Sequence, residues 1–371
     1  MKKINFIDLK KQYQNNKKAI DDAISEVVEN SNFILGKQVN DFEEISSKYT
    51  GSKCVGVANG TDALFIALKS LGIGPGDEVI TPSFTWVSTV ETIKMTGAKP
   101  KYIDIKYNDF NINEQDVSRL ISEKTKAVMS VSIFGRCPNL KKLKQICEKQ
   151  GLFLIEDAAQ SYGAKSNGAL SCSIADISTT SFFPAKPLGC YGDGGAIYSQ
   201  NEKIFEEASL IARHGQSGRY NYLRIGVNSR LDTIQAAILI QKHKIFEEEI
   251  KMRNNVASLY NKYFENFDLI TVPEIPNETN RSVWAQYTIL LDKELIDKRE
   301  LIMNKMSLKG FPTALYYPVL LHKTKVYQEN IKLDVSEDIC HRVLSLPMHP
   351  YLESKEIEEI SHELKNIITN I

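Results

Sequence analysis

Lys186 stands between Pro184 and Pro187 and is followed by Gly189, Gly192, Gly194 and Gly195 ahead of the apolar run Ala196-Ile197-Tyr198. Each proline fixes its own φ, so the lysine projects from a stiff loop. The glycines allow the turn beyond it to take positive φ or to pack closely against a neighbour. A lysine held in this way suits covalent chemistry. With a reference pKa of about 10.4 its amine is neutral in roughly one molecule in 2,500 at pH 7, a handicap of about 4.6 kcal/mol for a nucleophile. Storage as an imine with an aldehyde cofactor removes the handicap, because the incoming amine attacks the imine instead. The competing reading is a surface lysine in a glycine-rich loop, and the remainder of the chain discriminates between the two.

Glu156-Asp157-Ala158-Ala159-Gln160 closes the apolar run 152–155. A carboxylate at the carboxyl end of a strand points into the crevice where open α/β sheets bind ligands. Asp157 there either caps the next helix or pairs with a protonated ring nitrogen, which makes the ring an electron sink. Asn59-Gly60-Thr61-Asp62 sits between a strand at 54–58 and a helical segment at 63–71. Free backbone N–H groups and the positive end of the helix dipole suit a phosphate at that point, although Thr61 or Asp62 would serve equally as an ordinary N-cap. Pro82-Ser83-Phe84-Thr85-Trp86 follows a strand at 78–81, and an aromatic there either lies flat on a heteroaromatic ring or packs in the core. Gly72-Ile73-Gly74-Pro75-Gly76-Asp77 follows a helix and precedes a strand, the reverse of a dinucleotide fingerprint, and reads as a turn.

These groups need a scaffold. Further strands at 101–105, 127–133 and 152–155, with helices between them such as 139–149, predict a mainly parallel sheet covered on both faces. Residues 12–31 show a helical stripe of Ala19, Ile20, Ala23, Ile24, Val27 and Val28, and Val39, Phe42 and Ile45 suggest a second helix after the break at Gly36. This opening is expected to pack outside the nucleotide-type core, with the smaller domain as one place for it. Arg213-His214-Gly215-Gln216 and Arg219-Tyr220 form a basic, aromatic loop. The segment 225–237 turns into a long helix expected to run to about residue 250 and to lead into a smaller α+β domain. That domain contains a strand at 286–291, a helix at 301–308, an extended run at 311–317 and a closing helix at 354–368. The division is expected between 1–245 and 246–371.

Forty-six basic and 46 acidic residues cancel, which leaves no global field for nucleic acid or an anionic membrane. No apolar run approaches the roughly 20 residues of a membrane span, and Met1-Lys2-Lys3 leads into Ile4 without a signal-peptide core. A cytoplasmic location is expected. The six cysteines and six histidines show neither zinc spacing nor an HExxH pattern, so no bound metal is expected.

From Phe6-Ile7-Asp8-Leu9 through Asn59-Gly60-Thr61-Asp62-Ala63-Leu64 and the Lys186 segment to Leu346-Pro347-Met348-His349-Pro350, the chain resembles the sugar-nucleotide aminotransferases of the DegT/DnrJ/EryC1/StrS family. The resemblance implies pyridoxal 5'-phosphate as cofactor and the fold type I of aspartate-aminotransferase-like enzymes. It makes Lys186 the lysine that binds the cofactor aldehyde. It also places Gly60, Thr61 and Ser181 on the phosphate, Trp86 on the ring face, Asp157 on the ring nitrogen and Gln160 on the ring hydroxyl. Asn228 is then expected to reach the cofactor phosphate of a neighbouring subunit, so the active site requires a homodimer. Arg230, Tyr317 and His322 become candidates for substrate contact, Arg230 for a carboxylate. Relatives often have His-Tyr-Pro where this chain has Tyr316-Tyr317-Pro318, which leaves the role of Tyr316 open. The segments 182–195, 213–216, 227–237 and 345–352 are most similar to members that aminate the 3-keto group of UDP-linked 2-acetamido-2-deoxy-3-oxoglucuronate with glutamate as donor. Other readings are a dehydratase on this fold, disfavoured because such relatives replace the lysine by histidine, and a regulatory protein that has lost catalysis.

Overall fold

The computed structural model describes residues 4–371, without the side chain of Glu278; the Met1-Lys2-Lys3 opening lies outside the described residues. The helices α1 (Leu9–Glu29) and α2 (Lys37–Thr50) precede the first strand, β1 (Lys53–Val57). Strand and helix then alternate through α3 (Gly60–Ser70), β2 (Glu78–Pro82), α4 (Val87–Met95), β3 (Lys99–Ile103), the short α5 (Val117–Leu120), β4 (Thr125–Val131), α6 (Leu140–Lys149) and β5 (Phe153–Asp157). A small hairpin of β6 (Lys165–Ser166) and β7 (Ala169–Leu170) comes before β8 (Ile177–Ser181), β9 (Gly195–Ser199) and α7 (Glu202–Ala212).

Seven of these strands form one sheet in the order β1-β9-β8-β5-β4-β2-β3. Only β9 runs against its neighbours, pairing antiparallel with both β1 and β8. The other pairings in the sheet are parallel, as the alternation of strand and helix predicts. Near-continuous burial along β1, β2, β4 and β5 fits a sheet with both faces covered. The consequence for function is geometric. The carboxyl ends of β1, β2, β4, β5 and β8 lie along one edge, and those of β1, β2, β5 and β8 release the chain into the segments singled out above.

Beyond the sheet come a hairpin of β10 (Gln216–Gly218) and β11 (Asn221–Tyr222) and then α8 (Thr233–Tyr263), a helix of 31 residues. At 1.5 Å per residue it spans about 46 Å, well past the end expected near residue 250. The reason lies in its partners. Leu239, Phe246 and Ile250 are buried with large-domain residues such as Phe42 and Tyr162, whereas Val256, Ala257 and Tyr260 are buried with the C-terminal elements. One helix serves two cores, so there is no loop at the expected division after residue 245. The second core is built on a three-stranded sheet of β12 (Ile270–Thr271), β13 (Tyr287–Leu291) and β14 (Val343–Leu346), with α9 (Arg299–Leu308), α10 (Asp334–Arg342) and α11 (Ser354–Thr369). The run 311–317, expected to be extended, contains no strand; Ala314 makes an isolated bridge to Ser345.

The N-terminal segment ties both cores together. Ile4 is buried in the C-terminal core, the Phe6 carbonyl accepts the Met348 N–H, and farther along Ala23 and Val27 of α1 pack on Ala237 of α8. Gln12 of α1 donates to the buried carboxylate of Glu249 on α8 at 2.9 Å, and Tyr351 donates to the same group.

Phe246 is 1% exposed at the point where α8 leaves the large core, and Gly163, at φ 89°, leaves the room that its ring occupies. Replacing Phe246 with alanine should cost about 3–5 kcal/mol of unfolding free energy, measured by denaturant titration.

Candidate active site

The loop after β8 folds back on itself. A turn closes through the bond from Lys186 N–H to Phe183 carbonyl, and the chain returns through the pairs Cys190 N–H to Phe182 carbonyl and Phe182 N–H to Gly194 carbonyl. A Cβ on Gly189 would lie 2.6 Å from the Phe183 and Pro184 carbonyl oxygens, and one on Gly195 would lie 2.6 Å from the Asn59 carbonyl. Neither glycine has positive φ. Of the two uses the sequence left open, close packing is the one realised. Gln235 on α8 anchors the far end of the loop by accepting the Tyr191 N–H at 2.8 Å.

Lys186 thereby shares a crevice with Asp157. Burial lowers the lysine below its ordinary range, while the carboxylate of Asp157 pulls it back. Burial raises Asp157 above the usual carboxylate range, opposed by the Thr89 hydroxyl, the Ala159 N–H and the charge of Lys186. Thr89 in α4 donates to Asp157 Oδ2 at 2.8 Å and the Ala159 N–H reaches Oδ1 at 3.2 Å. Both oxygens are therefore oriented. Glu156, one residue earlier on β5, points to the opposite face as strand alternation requires. Ser171, the Cys172 N–H, Ser132 and Ser178 surround it and tie β5 to its neighbours.

The start of α3 is capped by Asn59, whose side chain accepts the Asp62 N–H at 2.8 Å. Thr61 and Asp62, the caps considered from the sequence, lie inside the helix instead. The N–H groups of Gly60 and Thr61 are then first-turn donors that the helix itself does not use. A Cβ on Gly60 would sit 2.7 Å from Ser181 Cβ, so only glycine allows this helix start to lie against Ser181. Thr61 Oγ1 meets Ser88 Oγ at 2.7 Å, which brings the starts of α3 and α4 together. Two helix N-termini and three hydroxyls converge at one place, a donor set suited to a phosphate. Trp86, 59% exposed, precedes α4, and its ring lies 6.3 Å from that of Tyr317. Gln160 accepts the Phe134 N–H and donates to the Tyr317 hydroxyl. A flat aromatic cofactor with a phosphate arm matches these residues. Gly60, Thr61, Ser181 and Ser88 offer donors for the phosphate, Trp86 an exposed ring face, Asp157 an oriented carboxylate and Lys186 an amine.

Three expected residues lie apart from this group. Asn228 is exposed and Arg230 half-buried on the segment before α8, and neither makes a side-chain hydrogen bond or ion pair among the described residues. His322 corrects the sequence expectation: it is fully buried, bonded to Ser83 through Nδ1 and its backbone N–H. A sugar contact needs an accessible atom, and His322 has none; it fastens the strap around Leu320 to the segment that carries Trp86. Ser88 and Thr89 went unnoticed in the sequence. Their one signal was hydroxyls in the first helical turn after a strand end; the register of β2 and α4 directs them inward.

The family model described as the DegT/DnrJ/EryC1/StrS aminotransferase family matches residues 14–365. The chain is similar to UDP-2-acetamido-2-deoxy-3-oxo-D-glucuronate aminotransferase of Pseudomonas aeruginosa, 46% identical over 98% of this chain and 100% of the relative. A DegT/DnrJ/EryC1/StrS aminotransferase from Brucella abortus superposes with a TM-score of 0.92 at 37% identity, covering 98% of this chain and 99% of the other. A protein of Bacillus subtilis solved with bound cofactor PMP superposes with a TM-score of 0.92 at 28% identity, covering 100% of this chain and 86% of the other.

Replacing Thr89 with valine removes a donor to the ionised form of Asp157. The carboxyl pKa should rise further above the usual carboxylate range, read by carbon NMR of the Asp157 carboxyl in protein without cofactor; an unmoved titration would show that Thr89 does not tune this group.

Proposed function

We propose, from the premise that the chain belongs to the DegT/DnrJ/EryC1/StrS aminotransferase family, that it moves the amino group of L-glutamate to C3 of UDP-linked 2-acetamido-2-deoxy-3-oxo-D-glucuronate. The enzyme is a pyridoxal-phosphate-dependent aminotransferase. Bound pyridoxal phosphate supplies an aldehyde that captures amines and a ring that accepts the electron pair left when a neighbouring C–H bond breaks.

Lys186 would hold the cofactor through its amine, and once free its Nζ would take the proton from the α-carbon of glutamate and, in the second half of the cycle, deliver a proton to C3 of the sugar. Burial favours the neutral amine that this task needs. Asp157, held by Thr89 and the Ala159 N–H, would pair with the ring nitrogen and keep it protonated. The first-turn N–H groups of α3 with Ser181 would hold the phosphate and fix the ring's position. The observation that carries the reaction is the pairing of Lys186 and Asp157 in one crevice at the sheet's carboxyl edge, beside that helix start.

The substrate rests on the likeness to the Pseudomonas aeruginosa relative. Arg230 supports it, because a half-buried guanidinium without an ion pair among the described residues suits a carboxylate. A homodimer belongs to the same reading. Phe33, Ile34 and Leu35 are exposed alongside Asp232 and Thr233, and Leu223 and Ile225 lie exposed just before Asn228. A second copy covering this apolar surface would bring Asn228 to the partner's cofactor phosphate. No described helix is long and apolar enough to cross a membrane. The enzyme would act in the cytoplasm, on a nucleotide sugar destined for a surface polysaccharide such as lipopolysaccharide O-antigen.

Purified protein supplied with cofactor should show a visible absorption band that shifts to the near ultraviolet when glutamate is added. Lys186→Ala should lose both the band and turnover; a variant that kept both would overturn the assignment, and wild-type protein without a band would point to a non-catalytic use of the fold. In a panel of keto sugar nucleotides the 3-oxoglucuronate should react fastest, and preference for a 4-keto sugar would overturn the substrate. Arg230→Lys should raise KM for the glucuronate on the order of 10- to 100-fold, with a smaller effect on an analogue lacking the sugar carboxylate.

A further inference from the structure

Tyr317 belongs to the stretch between α9 and α10, yet its hydroxyl reaches Gln160 on the turn after β5, with Gln160 Nε2 donating at 2.9 Å. Gln160 is 6% exposed, and its other amide atom is committed as well, since Oε1 accepts the Phe134 N–H at 2.7 Å. That bond sets the sense of the amide. A flip would oppose the Gln160 NH2 to a backbone N–H in a buried place, a loss the site has no means to offset. Nε2 therefore faces the small-domain side, one N–H goes to Tyr317, and the second has no acceptor among the described residues. The Tyr317 ring is itself fixed, edge-on to Phe84 at 5.9 Å and 6.3 Å from Trp86. One side chain thus touches both the residue expected on the cofactor's ring face and the residue expected on its ring hydroxyl.

We infer that Tyr317 is a positioning residue for Gln160: its hydroxyl holds the amide so that the remaining N–H is presented to the ring oxygen of the cofactor. The inference rests on the cofactor reading above and replaces direct sugar contact as the main role of Tyr317. A donor on that oxygen favours its ionised form and weakens its hold on the proton shared with the lysine-linked nitrogen. Loss of the Tyr317 hydroxyl leaves Gln160 anchored only through Phe134, and the second N–H is no longer aimed. The proton on the cofactor should then be held more tightly. Phenylalanine in place of Tyr317 would preserve the contacts with Phe84 and Trp86, which separates the hydroxyl from the packing of the ring.

The test is a pH titration of the visible band in the holoenzyme for wild type, Tyr317→Phe, Gln160→Leu and the double variant, together with the two half-reactions measured separately. Asp157, Lys186 and Tyr316 are the other titratable groups around the site, and all remain in each variant. Tyr317→Phe should keep the cofactor and move the titration midpoint upward by about half to one unit. Both half-reactions should slow by a similar factor, with KM for the keto sugar within about twofold of wild type. Gln160→Leu should shift the midpoint in the same direction, and the double variant should add little to it, since the two residues act as one. An unmoved midpoint with a rise in sugar KM alone would make Tyr317 a sugar contact and overturn the inference. Additive shifts in the double variant would overturn it too, because they would show independent action. A Tyr317→Phe protein that failed to fold would overturn it when Gln160→Leu left the midpoint unchanged. Wild-type holoprotein without a band is a separate failure, that of the cofactor reading itself.

Discussion

An amine and a carboxylate are kept in one buried crevice, and each is disturbed by burial in the direction that opposes its charge. Lys186 is pushed towards neutrality and Asp157 towards protonation, while each favours the charged form of the other. Such a pair survives only where the surrounding structure leaves neither group a better alternative. The two bonds to Asp157 from Thr89 and Ala159 and the turn that holds Lys186 against Phe183 supply that confinement. Perturbed groups facing each other in a cleft are a frequent mark of a reactive site, and here they coincide with a helix start open to phosphate.

Close backbone approach is what allows the crevice to exist. Gly60 lies against Ser181, Gly195 against Asn59, and Gly189 against the carbonyls of its own loop. The first two contacts join different segments and draw the ends of β1 and β8 and the start of β9 to one point, while the third folds the Lys186 loop on itself. Behind this layer the Glu156 network ties β4, β5 and β8 together with hydroxyl donors. Around it the long helix α8 links the large core to the C-terminal core, and His322 straps the C-terminal half to the Trp86 segment. The site is therefore bounded on one side by the sheet edge and on the other by residues from a second core. That is where the hydrogen bond from Gln160 to Tyr317 crosses.

Much of this was legible in the residues. The alternation of apolar runs and helical stripes predicted a mainly parallel sheet, because strands buried on both faces and helices buried on one leave different periodicities. Strand ends at or just before Gly60, Trp86 and Asp157 predicted one edge, because parallel strands all end on the same side; the strand that delivers Lys186 emerged only in the structure. Less was legible where a residue's role depends on a remote partner. Asn59 caps α3 where Thr61 or Asp62 had seemed eligible, because all three can accept from a helix start and only backbone direction chooses among them. The length of α8 could not be read from its own residues, since its continuation past residue 250 is held by Val256, Ala257 and Tyr260 packing on the C-terminal elements.

The sequence by itself determined the chemistry on offer, namely a lysine braced by prolines, a carboxylate closing a strand, a glycine turn opening a helix, and the order in which the strands deliver them. These are local properties, set by φ restriction, side-chain type and hydrophobic period within a few residues. Tertiary structure alone decided which side chains serve them. It directed Thr89 onto Asp157 and Ser88 onto Thr61, buried His322 behind Ser83, left Arg230 without an ion pair among the described residues, and carried Tyr317 from the far end of the chain to Gln160. Those choices depend on distances between segments remote in sequence, which no local preference encodes and which only the packing of two cores about one helix fixes.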